Sequence, residues 1–314
     1  MCFLWRAVPL TVLAVGLTGC IDFADFGDSQ RYKEDFHLNF PLASGGTLSI
    51  DNSNGSVEII GWEQNTVDVN GTKFASTKSL LDEVKVDASA SSGNSVRIRT
   101  VRPMDIHGHG NAGAQYRIRV PRKALLDSIV TTNGSIRIED IDGTARLRST
   151  NGSIRVQKLH GDVEANTTNG GLEMRGIDGN ANLHTTNGSI QAEVAHGSFE
   201  ARTSNGSVNA TLTDAAANWP VKAHSTNGHI ELRITGAKLP DVRAETSNSS
   251  VTLYLPQNAS ARVRAHTSHS RVTSDFEVVT SGSLSKTDLE GNIGSGGPVL
   301  ELSSTNGSIK ILKL

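Results

Sequence analysis

The sequence predicts an all-β protein: a single-chain parallel β-helix, or β-solenoid, with about 18–22 residues per rung. Three observations predict it. A phrase recurs as TTNGSI at 131–136, STNGSI at 149–154, TTNGGL at 167–172, TTNGSI at 185–190 and TSNGSV at 203–208. Between the copies, apolar and polar residues alternate with period two, as in strands with one buried face. Composition agrees: 31 Gly supply turns, and aromatics at 4% leave few large plugs for a globular core. Self-similarity at a fixed period of roughly 20 residues marks a stacked architecture.

Residues 1–19 read as a signal peptide. Arg6 gives a short positive region, and Val8 to Leu17 form an apolar run too short to span a bilayer stably. Leu17-Thr18-Gly19-Cys20 follows and resembles the bacterial lipobox, in which the Cys becomes the lipidated first residue. The resemblance implies lipidation at Cys20, export, and a membrane anchor of several acyl chains, firmer than a single chain provides. Ile21 rather than Asp comes next, so in a Gram-negative host the same pattern implies the outer membrane. The only cysteines are Cys2 and Cys20, so the mature domain has no thiol for a disulfide. Residues 20–39 read as the lipidated N-terminus and a polar, acidic tether. No later segment has a run of apolar residues long enough to span a bilayer.

Residues 40–314 read as the solenoid domain. An early copy of the phrase sits at Asn54, in DNSNGSVEII. Residues 72–115 do not repeat cleanly. There VKVDAS (84–89) and SVRIRT (95–100) read as strands of less regular rungs, and VRPMDIHGHGNAGA (101–114) as a protruding loop. No stretch carries helical periodicity.

The regular rungs follow. In SIRIEDIDGTARLRSTNG, Ile136 and Ile138 alternate with Arg137 and Glu139, Asp142-Gly143 makes a turn, Ala145 and Leu147 alternate with Arg146 and Arg148, and Asn151-Gly152 makes a second turn. Stacked in register, one inward column reads Ile136, Ile154, Leu172, Ile190, Val208, Ile230, Val251, Val272, Ile309. A corner column reads Ile141, Leu159, Ile177, Ala195. The second strand contributes Ala145/Leu147, Val163/Ala165, Ala181/Leu183 and Phe199/Ala201, each pair joining a small and a larger residue, as a narrow core requires. The chain then closes on Ser308-Ile309-Lys310-Ile311-Leu312 without an evident cap. This predicts that the 31–44 segment or a partner covers one solenoid end, since bare strand edges invite pairing. Self-association through the ends is the corresponding partner expectation.

Asn133, Asn151, Asn169, Asn187, Asn205, Asn227 and Asn248 form one column. Asn and Gly both tolerate left-handed backbone, and stacked amides can bond rung to rung. The column is therefore expected to be a structural ladder at a strained turn. In the other turn, Asp142, His160, Asp178 and His196 alternate at 18-residue steps. They form a candidate metal column against the plainer reading of charge compensation. Asp105, His107 and His109 lie close enough in sequence to be ligands, but sit in a Gly-rich stretch rather than a fixed frame. Asp162 and Glu164 share a strand face with no third group, and no GxSxG elbow occurs, so no catalytic set, cofactor or resident metal is expected. Thirty Lys and Arg against 32 Asp and Glu argue against a nucleic-acid partner.

GGTLSIDNSNGSVEIIGW (45–62), YRIRVPRKALLDSIVTTNGSIRIEDIDG (116–143), the NG-spaced rungs and LPQNASARVRAHTSHSRV (255–272) together resemble a bacterial family labelled "putative adhesin". The resemblance implies a parallel β-helix on an exported protein. The combined expectation is a lipid-anchored, non-catalytic envelope scaffold that meets a protein or glycan. The alternative is a carbohydrate-binding or carbohydrate-active β-helix.

Overall fold

In the computed structural model, the described residues are 32–91, 93–102, 111–214, 218–236, 238–280 and 285–314. They form the expected solenoid. Each rung contributes one strand to a 13-stranded sheet and one to a 14-stranded sheet, and the two sheets enclose a single apolar core. In the regular body, Ile136–Ile141, Ile154–His160, Leu172–Asp178, Ile190–Val194, Val208–Leu212, Ile230–Ile234 and Val251–Leu255 pair in parallel in the first sheet. Ala145–Ser149, Val163–Thr167, Ala181–Thr185, Phe199–Thr203, Val221–Ser225 and Val242–Thr246 pair in parallel in the second.

The alternation decides which face is core. Ile136, Ile154, Leu172, Ile190, Val208, Ile230, Val251 and Ile309 are all buried. Val272 is half-buried because its short strand lies at an outer end of the stack. The corner column departs from expectation: Ala195 is half-exposed, and Val194 stands beside Ile177 instead. The cause is local. Asp140, Lys158 and Gly176 occupy one column with φ of 58°, 54° and 62°, an extra left-handed residue in each of three strands. Glycine there relieves a strain that Asp140 and Lys158 must bear. The strand Ile190–Val194 lacks that extra residue, so the register shifts by one.

Both ends of the stack are built out of chain order. The first rung, Thr47–Asp51 and Val57–Trp62, lies between the rung of Ser95–Val101 and Ala112–Pro121 and the rung of Leu125–Thr131 and Ile136–Ile141. The last rung, Val299–Ser304 and Ile309–Lys313, is likewise intercalated. It sits between the rung of Val242–Thr246 and Val251–Leu255 and that of Ala261–Thr267 and Val272–Ser274. The chain terminus therefore does not form an outer edge, contrary to the expectation of an uncapped end.

Antiparallel strands finish each end. Tyr32–Pro41 pairs with Thr66–Ala75, which pairs with Ala112–Pro121, while Lys85–Ser91 folds back on Ser95–Val101. The segment expected as tether up to residue 39 is thus strand from Tyr32, the outermost strand of the first sheet at that end, where Lys85–Ser91 is outermost in the second, so it extends the end rather than covering its edges. VKVDAS is strand as expected, but antiparallel and at an edge rather than in a rung. A short helix, Lys78–Glu83, was not legible from periodicity. Thr77 caps it by accepting from the Leu80 N–H at 3.2 Å, and Leu81 anchors it against Ala75, Val84 and Ala112. At the other end, Asp288–Ile293 runs antiparallel to Ala261–Thr267 and Val278–Thr280. No helix among the described residues is long and apolar enough to cross a membrane.

The outermost N-terminal rung holds one buried polar bridge between the sheets. The Tyr116 and Thr100 hydroxyls lie 2.6 Å apart, and Phe36 meets the Tyr116 ring edge-on at 5.9 Å. Burial pushes the Tyr116 phenol up to about 12, against the opposing effect of the Thr100 hydrogen bond. The folded value lies above the unfolded one, so this contribution is whole below about pH 10 and is lost as pH rises towards about 12. It is worth about 2–3 kcal/mol. Tyr116→Phe should flatten the alkaline fall in urea midpoint between about pH 9 and about pH 11.5, relative to wild type.

Candidate functional site

The repeated phrase forms one continuous corner. The Nδ2 of Asn133 donates to the Oδ1 of Asn54 at 2.7 Å, and the same bond repeats from Asn151, Asn169, Asn187, Asn205, Asn227 and Asn248, each to the preceding Asn, at 2.7–2.8 Å. The column is longer than the seven expected residues. Asn306 donates to Asn248 at 2.8 Å, and Asn54 ends the series by donating to the Ala112 carbonyl. His269 sits beyond Asn306 with its ring nitrogen 3.3 Å from the Thr305 carbonyl. Each internal amide thus spends its oxygen and one N–H on its neighbours, which leaves little of it for a ligand.

The expected left-handed turn at the Asn positions does not occur: none of these Asn residues has a positive φ. Glycine follows Asn for another reason. A Cβ on Gly188 would lie 2.0 Å from the Gly170 carbonyl oxygen, and the same contact recurs down the column. The corner is packed backbone on backbone. A hydroxyl column accompanies it. Ser149, Thr167, Thr185, Thr203, Ser225 and Thr246 are buried, and each donates to the Gly carbonyl of the preceding rung at 2.9–3.0 Å. The signal for it was the constant Thr or Ser two residues before each Asn.

The Asp and His column resolves into pairs. His160 Nδ1 lies 2.9 Å from Asp142, and His196 Nδ1 lies 2.9 Å from Asp178. Asp214 approaches the other ring nitrogen of His196 at 3.8 Å, and Trp219 meets that ring edge-on at 5.9 Å. The two carboxylates address opposite nitrogens of one exposed imidazole, so they do not converge on a point. Among the described residues, no three His, Cys, Asp or Glu gather as a metal site. His107, His109 and Cys20, with the 1–19 signal segment, lie outside the described residues. Asp162 sits in a turn, where it accepts from the Asn180 backbone and side chain at 2.8 and 3.0 Å, and Glu164 accepts from Asn166 at 3.3 Å.

Two shallow troughs occupy the outer faces of the regular body. On the 13-stranded sheet, a trough of about 210 Å³ is walled by the ion pairs Glu173–Arg175 and Glu231–Arg233, at 2.6 and 2.8 Å. Its floor carries Gln191, Glu193, Asn209 and Thr211. Arg233 also lies over the Tyr254 ring at 4.0 Å. On the 14-stranded sheet, a trough of about 410 Å³ is lined by Arg202, Lys222, His224, Arg243 and Glu245. The period-two pattern puts charged and polar residues on these faces but carries no sign of the troughs.

A family model described as Toastrack DUF4097 matches residues 29–239. The chain belongs to that family. The match begins just before the first strand and covers the antiparallel strands of the N-terminal end, the intercalated first rung and most of the regular body of this Toastrack domain. No curated protein matches the chain. Solved structures similar to it include a putative cell adhesion protein from Clostridium sporogenes (11% identity, 90% of this chain and 100% of that one, TM-score 0.25). Two others are putative adhesins. The one from Bacteroides fragilis has 10% identity, covers 89% of this chain and 97% of that one, and gives a TM-score of 0.35. The one from Parabacteroides merdae has 8% identity, covers 89% and 96%, and gives 0.38.

Proposed function

We propose that this Toastrack protein is an exported, lipid-anchored, non-catalytic scaffold of the cell envelope, which presents its outer sheet faces to a surface partner. The observation that carries the reading is where the polar groups are spent. The corner amides and hydroxyls are engaged rung to rung, and the carboxylates of Glu173, Glu200, Glu231 and Glu245 are tied to Arg on the same strand. General acid–base work needs a carboxyl group free to exchange a proton with a substrate. A rigid face of fixed charges suits recognition instead. The sequence supplies the anchor through Leu17-Thr18-Gly19-Cys20.

Cys20→Ser should move the protein from the membrane fraction to the soluble fraction of cells, because the acyl chains would be absent. Retention of the variant in membranes, resistant to salt wash, would sink the anchor. The walled troughs favour a second reading within the same scaffold, a carbohydrate-binding role.

A further inference from the structure

We infer that the trough on the 14-stranded sheet is a binding site for an acidic glycan, a chain of sugars bearing carboxylates. The inference rests on the envelope-scaffold reading and names the ligand class for one face. Three successive strands build the trough: Phe199–Thr203, Val221–Ser225 and Val242–Thr246. The outer two are self-neutralised. Arg202 bonds Glu200 at 2.6 Å, and Arg243 bonds Glu245 at 2.6 Å. The middle strand carries Lys222 and His224 outward. Glu200 and Arg243 are the register neighbours of Lys222. Glu200 is taken by Arg202, and the Lys222 ammonium has no ion-pair partner among the described residues. His224 has only a 3.7 Å approach to Glu245.

The result is a concave strip with a cationic floor between two closed ion pairs. Arg202 and Arg243 line it already paired, with Glu200 and with Glu245 and Glu301 (Arg243 to Glu301 3.7 Å), which leaves the Lys222 ammonium as the unpaired cation of the strip among the described residues, in a chain whose net charge is -2. A concave site with a locally positive floor concentrates anions. The strip crosses three strands about 4.8 Å apart, so an extended polar chain can place successive groups on successive strands. Lys222 would take a carboxylate, while His224 and the free N–H groups of the two guanidinium forks would meet hydroxyls. No aromatic side chain lines the strip, so it offers a stacking platform neither to bases nor to sugar rings, and recognition there rests on polar groups. The opposite trough provides the contrast, since its floor carries Glu193 and uncharged side chains.

Calorimetry on the full chain in detergent tests the site, with tetragalacturonate as probe and maltotetraose as its uncharged counterpart. Tetragalacturonate should bind, and more weakly as salt rises. Lys222→Ala should weaken it roughly tenfold, the worth of one charge-assisted contact, and Lys222→Glu should abolish it. Lys222→Arg should retain it, and Glu193→Lys on the opposite face should leave it unchanged. Lys222 is exposed, so these variants keep the fold, which a urea midpoint verifies. The proposal is overturned if tetragalacturonate does not bind at low salt. It is also overturned if maltotetraose binds equally, if Lys222→Glu binds like wild type, or if an acidic peptide of equal charge competes as well. The anchor is read separately by Cys20→Ser fractionation, so failure of the trough and failure of the scaffold reading are distinguishable.

Discussion

A chain ended at Pro298 is expected to lose its fold, although only the last sixteen residues are gone. In an ordinary stack the last rung is the outermost and its loss frays one end. Here the last rung is an inner one. Val299–Ser304 pairs on both sides, with Val242–Thr246 and Ala261–Thr267, and Ile309–Lys313 pairs with Val251–Leu255 and Val272–Ser274. Truncation breaks four ladders and opens a slot inside the core. Leu300, Leu302, Ile309 and Ile311 are each no more than 1% exposed. Their burial alone contributes about 6–12 kcal/mol, comparable to the whole net stability of a typical domain, about 5–15 kcal/mol. The truncated chain should aggregate or be digested rapidly by protease. A peptide of residues 298–314 added during refolding should restore resistance. Cooperative unfolding of the truncated chain at the wild-type urea midpoint would contradict the intercalated order.

The second large effect is expected at Phe199. Among the described residues it is the largest fully buried side chain, and it stands in its column between Ala181 and Val221, with Ala145 and Val163 beyond Ala181. On the inward face of the other sheet the same rung carries Ala192 and the following rung Ala210, both buried. Phe199→Ala should cost about 3–5 kcal/mol, because parallel ladders on both sides prevent the rungs from collapsing into the cavity. Urea unfolding measures it. A loss below about 1 kcal/mol would mean that the core relaxes freely at this level.

The body of the solenoid was legible because one residue period specifies both rung length and inward face. The columns from Ile136 to Val251 and the small-large pairs from Ala145/Leu147 to Phe199/Ala201 are core as expected. The order of rungs at the ends was not legible. The phrase marks the corner of a rung but carries no information on which rung lies beside which, so Asn54 and Asn306 reveal their neighbours only in space. The reason for glycine after Asn is hidden from the sequence in a similar way. Gly after Asn is compatible with a left-handed turn, but the constraint comes from a carbonyl in the next rung, 18 residues away. The switch from Ala195 to Val194 depends on the extra left-handed residues at Asp140, Lys158 and Gly176, which have no shared residue type. Among the candidate site residues, the Asp and His column could be placed but not paired from sequence. Lys222 did not stand out at all, because its meaning depends on Glu200 being occupied by Arg202.

The Thr-Asn-Gly phrase holds rungs together rather than binding a ligand. The urea midpoint of the triple variant Asn151→Ala, Asn169→Ala, Asn187→Ala tests it most directly. Four ladder bonds disappear, between Asn133 and Asn151 and onward to Asn205. At about 0.5–1.5 kcal/mol each, the expected loss is about 2–6 kcal/mol. A midpoint equal to that of wild type would contradict it.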